Sequence, residues 1–402
     1  MIDRRNINKV VLAFSGGLDT SVIVRWMKEN YDCEVIAFAA DLGQGENLEP
    51  LRERAEVAGA SDIVIKDLKR EFAEEYVLRG LKAQAIYENG YPLATALGRP
   101  LISKHLVEVA REYGADAVAH GSTGKGNDQV RFEVSARALN PDIQAFTPVR
   151  EWELGSRDAE IEYAKKHGIP VEVTAEKPYS YDLNLWGVSI ECGPLEDPWK
   201  APPEDIYLMT DSPEQAPEEA EELIVGFEAG CPVSLDGDKM ELVDLIQTLN
   251  KKAGRHGVGR IDMVENRLVG LKSREIYEAP AGTVLHKAHR ALMDLVLERD
   301  IYHYLQEVSL RYAQLVYNGL WFSPLREALD ALINEAQSSM NGEVRLRLYR
   351  GNATVCGRRS PDSLYDRGLA TYEEDDEFDQ SLSEGFVELW GLPLKVVGRS
   401  RQ

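Results

Sequence analysis

The residues Ala13, Phe14, Ser15, Gly16, Gly17, Leu18, Asp19, Thr20 and Ser21 put two adjacent glycines among three hydroxyl side chains and one carboxylate. They close the apolar run Lys9 to Phe14 and open an amphipathic segment, Thr20 to Glu29. At a strand-to-helix junction of this kind, backbone N–H groups and the helix N-terminus face an anion. Glycine lets the backbone approach phosphate oxygens that a Cβ would block. Asp19 can cap the helix or help hold a phosphate-bound magnesium, and the hydroxyls of Thr20 and Ser21 can donate to phosphate. The Gly-Lys-Ser/Thr ending of a Walker loop is absent.

A second group lies at His120-Gly-Ser-Thr-Gly-Lys-Gly-Asn-Asp-Gln-Val-Arg-Phe-Glu133. Its glycines and small residues again form an anion-accepting stretch of backbone. Asn127, Asp128 and Arg131 crowd the first turn of the helix that follows and offer an amide, a carboxylate and a guanidinium to a zwitterionic ligand. A guanidinium can grip a carboxylate with two parallel bonds, which lysine cannot imitate.

The elements that must hold these groups follow from periodicity. Apolar runs at Lys9 to Phe14, Cys33 to Ala40 and Ile63 to Lys66 alternate with amphipathic segments at Thr20 to Glu29, Leu48 to Ala58 and Lys69 to Leu78. The alternation resumes with a helix from Pro100 to Tyr113, a strand from Ala117 to His120, a helix from Asp128 to Leu139, a strand from Gln144 to Thr147 and a helix from Arg157 to His167. This predicts an α/β fold with a doubly wound parallel sheet over residues 1–172. Beyond it, Tyr, Trp, Pro and Gly break the alternation. Residues 173–378 read as an α+β domain with helices at Glu241 to Ala253 and Ala288 to Val316 and a hairpin turning through Gly351-Asn352. Residues 379–402 carry Leu382, Phe386, Leu389, Trp390 and Leu392 in an acidic context, which suits an arm packing on another subunit.

Composition narrows the classes. A net charge of −22 argues against a nucleic-acid partner, which would be gripped through clustered Lys and Arg. No apolar stretch approaches the ~20 residues of a membrane helix and the start lacks a signal-peptide core, so a cytoplasmic protein is expected. The cysteines Cys33, Cys192, Cys231 and Cys356 are scattered, which suggests neither a disulfide framework nor a zinc ribbon. His286 and His289 share a helix face but have no further ligands close by in sequence, and no protein-held metal is expected.

The Ser15 to Ser21 string resembles the pyrophosphate loop of the N-type ATP pyrophosphatases, enzymes that adenylate a carbonyl oxygen and then replace AMP by a nucleophile. Within that group the chain resembles the argininosuccinate synthase family along nearly its whole length. The resemblance is carried by Phe38-Ala-Ala-Asp-Leu-Gly-Gln44, Glu88-Asn-Gly-Tyr91, Thr95 to Lys104, the 120–133 string, Ser180 to Pro198, and Val264 to Tyr277. It implies ATP contacts at Ala13 to Ser21, Ala40 and Gly121. It implies aspartate contacts at Thr123, Asn127 and Asp128, and citrulline contacts at Tyr91, Ala96, Asn127, Arg131, Ser180, Ser189, Glu265 and Tyr277. The family usually carries serine where this chain has Ala96, so only a backbone contact is expected there. The implied reaction ligates citrulline and aspartate at the expense of ATP, with magnesium bound to the nucleotide, in a homotetramer. A tRNA thiolase would show catalytic cysteines and a basic face, and a glutamine amidotransferase a glutaminase nucleophile; neither is visible. A nucleotide sensor without turnover would need the first loop but not the amino-acid strings.

Overall fold

The computed structural model describes residues 7–45, 48–170 and 178–402. The expected domain boundary at 172/173 lies outside the described residues.

The chain opens with β1 (Lys9–Ala13), α1 (Leu18–Tyr31), β2 (Glu34–Asp41), α2 (Pro50–Ala58) and β3 (Asp62–Asp67). Next, α3 (Lys69–Glu71) runs through a π-helical stretch, Phe72–Val77, into α4 (Leu78–Lys82). Then come α5 (Ala94–Tyr113), β4 (Ala117–Ala119), α6 (Asp128–Leu139), β5 (Gln144–Phe146) and α7 (Arg157–Lys166). All pairings in the resulting sheet are parallel, in the order β3-β2-β1-β4-β5. Both faces of β1 are covered: Val10 and Leu12 pack with Val22, Ile23 and Trp26 of α1, whereas Val11 packs with Leu97 and Leu101 of α5. This is why the run reads as continuously apolar. The strand order reverses between β1 and β4, and in open α/β sheets ligands lie at such a switch, beyond the C-terminal strand ends.

The remainder comprises β6 (Ser180–Asn184), β7 (Gly187–Glu191), β8 (Glu221–Glu228), β9 (Cys231–Leu235), β10 (Asp238–Lys239), α8 (Leu242–Arg255), β11 (Arg260–Asn266), β12 (Lys272–Glu278), α9 (Pro280–Val296), α10 (Arg299–Tyr317), α11 (Pro324–Ala336), β13 (Gly342–Tyr349), β14 (Asn352–Arg359), α12 (Arg367–Ala370) and α13 (Leu382–Ser400). These strands form two antiparallel sheets, β11-β12-β7-β6 and β10-β9-β8-β13-β14. The β6–β7 hairpin is tied to the parallel-sheet unit by Leu185 N to Leu42 O (2.8 Å), Trp186 Nε1 to Pro92 O (2.9 Å) and Asn184 Nδ2 to Ala94 O (2.9 Å). In α13 every side chain faces solvent, Phe386, Leu389 and Trp390 included. Among the described residues no helix is long and apolar enough to cross a membrane.

Three expectations are corrected. The helix read from Pro100 begins at Ala94, with the proline inside it. Proline suits a helix start, but here the Tyr91 hydroxyl accepts from the amides of Thr95 (2.8 Å) and Ala96 (3.4 Å), so the first turn forms earlier. The helix read as Ala288 to Val316 is two, broken at Leu297 and Glu298, where the Glu298 carboxylate caps α10 by accepting from Asp300 N (2.9 Å) and Ile301 N (3.3 Å). The hairpin turns one residue earlier than expected, through Arg350 and Gly351, both at positive φ, with Tyr349 paired to Asn352.

Gly319 ends α10 at φ +74°, and a Cβ there would lie 2.9 Å from the Arg131 Cα on α6. Gly319→Ala is expected to destabilise the fold by about 1–3 kcal/mol through backbone strain and overlap. A denaturation midpoint unchanged from the parent would contradict this packing.

Candidate active site

The first loop leaves β1 beside β2, with Phe14 N bonded to Phe38 O at 2.8 Å. Gly16 sits at φ +75°, a conformation that favours glycine, and a Cβ there would also press on the tip of the Leu51 side chain from α2. The Ser15 hydroxyl lies 3.2 Å from Thr20 Oγ1 and accepts from Gly17 N at 3.3 Å. The bond from Ser21 N to Gly17 O (3.1 Å) is the first of α1, which leaves the amides of Leu18, Asp19 and Thr20 without intrahelical partners. Ala40 stands near the end of β2, where its carbonyl accepts from Gln44 Nε2 at 3.0 Å. Across the switch, Gly121 packs so closely on α1 that a Cβ would lie 3.2 Å from Thr20 Cγ2. The two glycine-bearing strings therefore meet.

Asp19 is exposed in the first turn of α1. Burial and the facing Asp19 push the Glu160 carboxyl on α7 up to about 8. Glu160 Oε2 is buried, and beyond the facing Asp19 it has no hydrogen-bond partner among the described residues.

Beyond Gly121 the loop carries Thr123, exposed at its tip, into α6. Two guanidiniums converge on Asp128: Arg99 Nε donates to Oδ2 and Arg131 Nη1 to Oδ1, each at 2.8 Å. Arg99 also binds Asp182. Burial opposes the charge on Asp128, yet Arg99 and Arg131 outweigh it and hold the carboxyl below its ordinary range. Arg131 is 3% exposed, its Nε donates to Tyr317 O at 3.0 Å, and its Nη2 has no partner among the described residues.

The remaining strings converge through sheet parity. Ser189 is paired to Asp182 on one side and to Tyr277 on the other. Two residues along, Ser180 pairs with Glu191, and Glu265 pairs with Ser273. Because side chains alternate, Ser180, Asp182, Ser189, Glu265 and Tyr277 all stand on one face of the sheet. The other face buries Val188, Ile190 and Ile276 in a separate small core. On the site face Glu265 accepts from Tyr277 Oη (2.7 Å) and Tyr317 Oη (2.5 Å). Burial nevertheless raises its pKa. Tyr91 stacks on Tyr277 with centroids 4.1 Å apart, and its hydroxyl is engaged with Thr95 Oγ1 at 2.5 Å and with the first turn of α5. Ala96 is buried in that turn. Ser180 stands exposed on the edge strand, at the margin of the cluster.

The sequence reading missed Asp182, Tyr317 and Arg267 as members of this cluster. Asp182 carried a signal, since alternation from Ser180 puts it on the same face. Arg267 binds Glu191 (2.5 Å) and Glu275 (2.8 Å) and donates to Lys125 O (3.4 Å), tying the β11–β12 hairpin to the 121–127 loop.

Comparison with known proteins adds an independent line. Residues 9–170 match the family model described as the arginosuccinate synthase N-terminal HUP domain, and residues 179–397 match that of the arginosuccinate synthase C-terminal domain. The chain is 60% identical over 396 residues to an argininosuccinate synthase of Aquifex aeolicus, covering 98% of each. It is 55% identical to one of Desulfitobacterium hafniense, covering 97% of each, and 56% identical to one of Carboxydothermus hydrogenoformans, covering 96% of this chain and 97% of that protein. With both halves matched and relatives spanning nearly its whole length, the chain belongs to the argininosuccinate synthase family.

Proposed function

We propose that this protein ligates citrulline and aspartate to argininosuccinate, converting ATP to AMP and pyrophosphate. The observation that carries the amino-acid half is the buried Arg131 Nη2, which lacks a partner among the described residues while Nε and Nη1 are held by Tyr317 O and Asp128. A buried guanidinium nitrogen calls for an anionic acceptor, and a citrulline carboxylate supplies it. Arg131, Asn127, Ser180, Ser189, Glu265 and Tyr277 then hold citrulline, with the Tyr91 ring and the buried Ala96 turn closing the site. Thr123, Asn127 and Asp128 hold aspartate. ATP lies over Ala13 to Ser21, with Ala40 and Gly121 beside it.

In the first step the ureido oxygen of citrulline attacks the α-phosphorus and pyrophosphate leaves. In the second the aspartate amine attacks the ureido carbon, loses a proton, and the carbon–oxygen bond breaks as AMP departs. Both steps depend on positioning and charge neutralisation rather than on a covalent nucleophile. The free amides at the start of α1 suit the pyrophosphate. Magnesium enters with the nucleotide, and Asp19 and the facing Glu160 would hold it there, the cation displacing the proton that the two carboxyls otherwise share. The exposed apolar side chains of α13 support residues 379–402 as an arm in a homotetramer; the cytoplasmic location rests on the sequence reading alone. A division near 172/173 separates the nucleotide-binding unit from the second domain.

The direct test is steady-state release of AMP and pyrophosphate, expected only when citrulline and aspartate are both present, with citrulline alone giving at most one equivalent of pyrophosphate per site and no AMP; a nucleotide sensor would release neither. Arg131→Ala is expected to raise the KM for citrulline by about one to two orders of magnitude, from loss of a charge-assisted contact, with ATP binding nearly intact. Unchanged citrulline kinetics would sink the assignment.

The raised Glu160 carboxyl has a second consequence. Between its ordinary 4.5 and about 8 the folded protein keeps a proton that the unfolded chain releases, so stability falls as pH rises across that window. Glu160→Gln is expected to have a higher thermal midpoint than the parent near the top of the window and an equal one below it. A gap independent of pH would count against the carboxylate pair.

A further inference from the structure

Tyr317 is the last residue of α10, belongs to no motif, and hydrogen-bonds to three of the residues placed around citrulline. Its hydroxyl lies 2.5 Å from Glu265 Oε1 and accepts from Asn127 Nδ2 at 2.8 Å. A phenol carries one proton and lone pairs, so it donates to the carboxylate and accepts from the amide at once. That fixes the Asn127 amide, whose Oδ1 accepts from Leu268 N at 2.8 Å on the opposite side. The Tyr317 carbonyl accepts from Arg131 Nε at 3.0 Å, and its ring lies 4.9 Å beneath the guanidinium carbon. Tyr87 stacks on the other face at 3.5 Å and anchors itself through Oη to Asn266 O at 2.8 Å. With Nε taken by Tyr317 and Nη1 by Asp128, Nη2 of Arg131 is left without a partner among the described residues.

We propose that Tyr317 is a positioning residue of the amino-acid subsite, its hydroxyl setting the orientation of Glu265 and Asn127 while its carbonyl and ring seat Arg131 with one nitrogen free for a ligand carboxylate. This rests on the citrulline reading above. The plain alternative is a buried core aromatic, and the two differ in what the hydroxyl does. For a core aromatic, phenylalanine would serve equally well.

The hydroxyl also acts on the charge of Glu265. Burial raises that carboxyl, and the bonds from Tyr317 and Tyr277 oppose the rise, as do the charges of Arg131 and Arg267. Tyr87, Tyr91 and Glu275 complete the ionisable surroundings. Removing the Tyr317 bond therefore raises Glu265 further.

The test compares Tyr317→Phe with Arg131→Ala in the full-length enzyme. Tyr317→Phe keeps the ring and carbonyl, so its thermal midpoint, its KM for ATP and its kcat at saturating citrulline are expected to stay near the parent's. Its KM for citrulline is expected to rise by about tenfold to a hundredfold, the usual cost of a lost hydrogen bond to a charged group. The acid limb of kcat/KM for citrulline is expected to move to higher pH. Unchanged citrulline KM and pH profile in Tyr317→Phe, with Arg131→Ala impaired, would overturn the role of Tyr317 alone. Unchanged citrulline KM in both variants would overturn the citrulline reading itself. Loss of cooperative unfolding in Tyr317→Phe would make the hydroxyl a requirement of folding rather than of citrulline positioning and also overturn the proposal.

Discussion

Arg99 and Arg131 share one carboxylate, Asp128, where the parallel-sheet unit meets the antiparallel sheet of the second domain. Charges removed from water must be paired, because an isolated buried ion costs several kcal/mol even after relaxation. Arg99 satisfies the rule by adding Asp182 from β6, and Arg131 by adding the Tyr317 carbonyl from α10. Each therefore needs a group from the far side of the seam. The charge knot both joins the two domains and leaves one guanidinium nitrogen without a partner among the described residues.

The same constraint explains how a chain with a net charge of −22 can bind ATP and aspartate. Its overall field opposes both, but the cations that matter stand in a place of low dielectric, where a fixed charge acts more strongly than at a solvated surface. Neighbouring carboxylates carry the cost. Burial raises Glu265, and burial with the proximity of Glu191 raises Glu275 to about 8. Perturbed carboxyls gathered on one sheet face are a feature shared with functional sites.

What was legible in the sequence was local. The Ser15 to Ser21 loop and α6, observed over the expected Asp128–Leu139, are encoded by neighbours in the chain, as is the αL glycine Gly168 that follows α7. Relations across the fold were not legible. Tyr317 lies 186 residues from Arg131 and sits at an ordinary helix end, where nothing in its surroundings marks it. The break before α10 depends on a glutamate cap rather than on Gly or Pro, and the early start of α5 on the Tyr91 hydroxyl, so composition alone pointed elsewhere. Parity along β6 could have found Asp182, but only once the strand was known to pair with β7.

The central claim is that the ureido oxygen of citrulline becomes bonded to the α-phosphorus before aspartate displaces it. Citrulline labelled with oxygen-18 in the ureido group, turned over with ATP and aspartate, tests this directly by mass spectrometry of the products. The label is expected in AMP, with none in pyrophosphate. AMP free of label would contradict the adenylate and the chemistry assigned to the site.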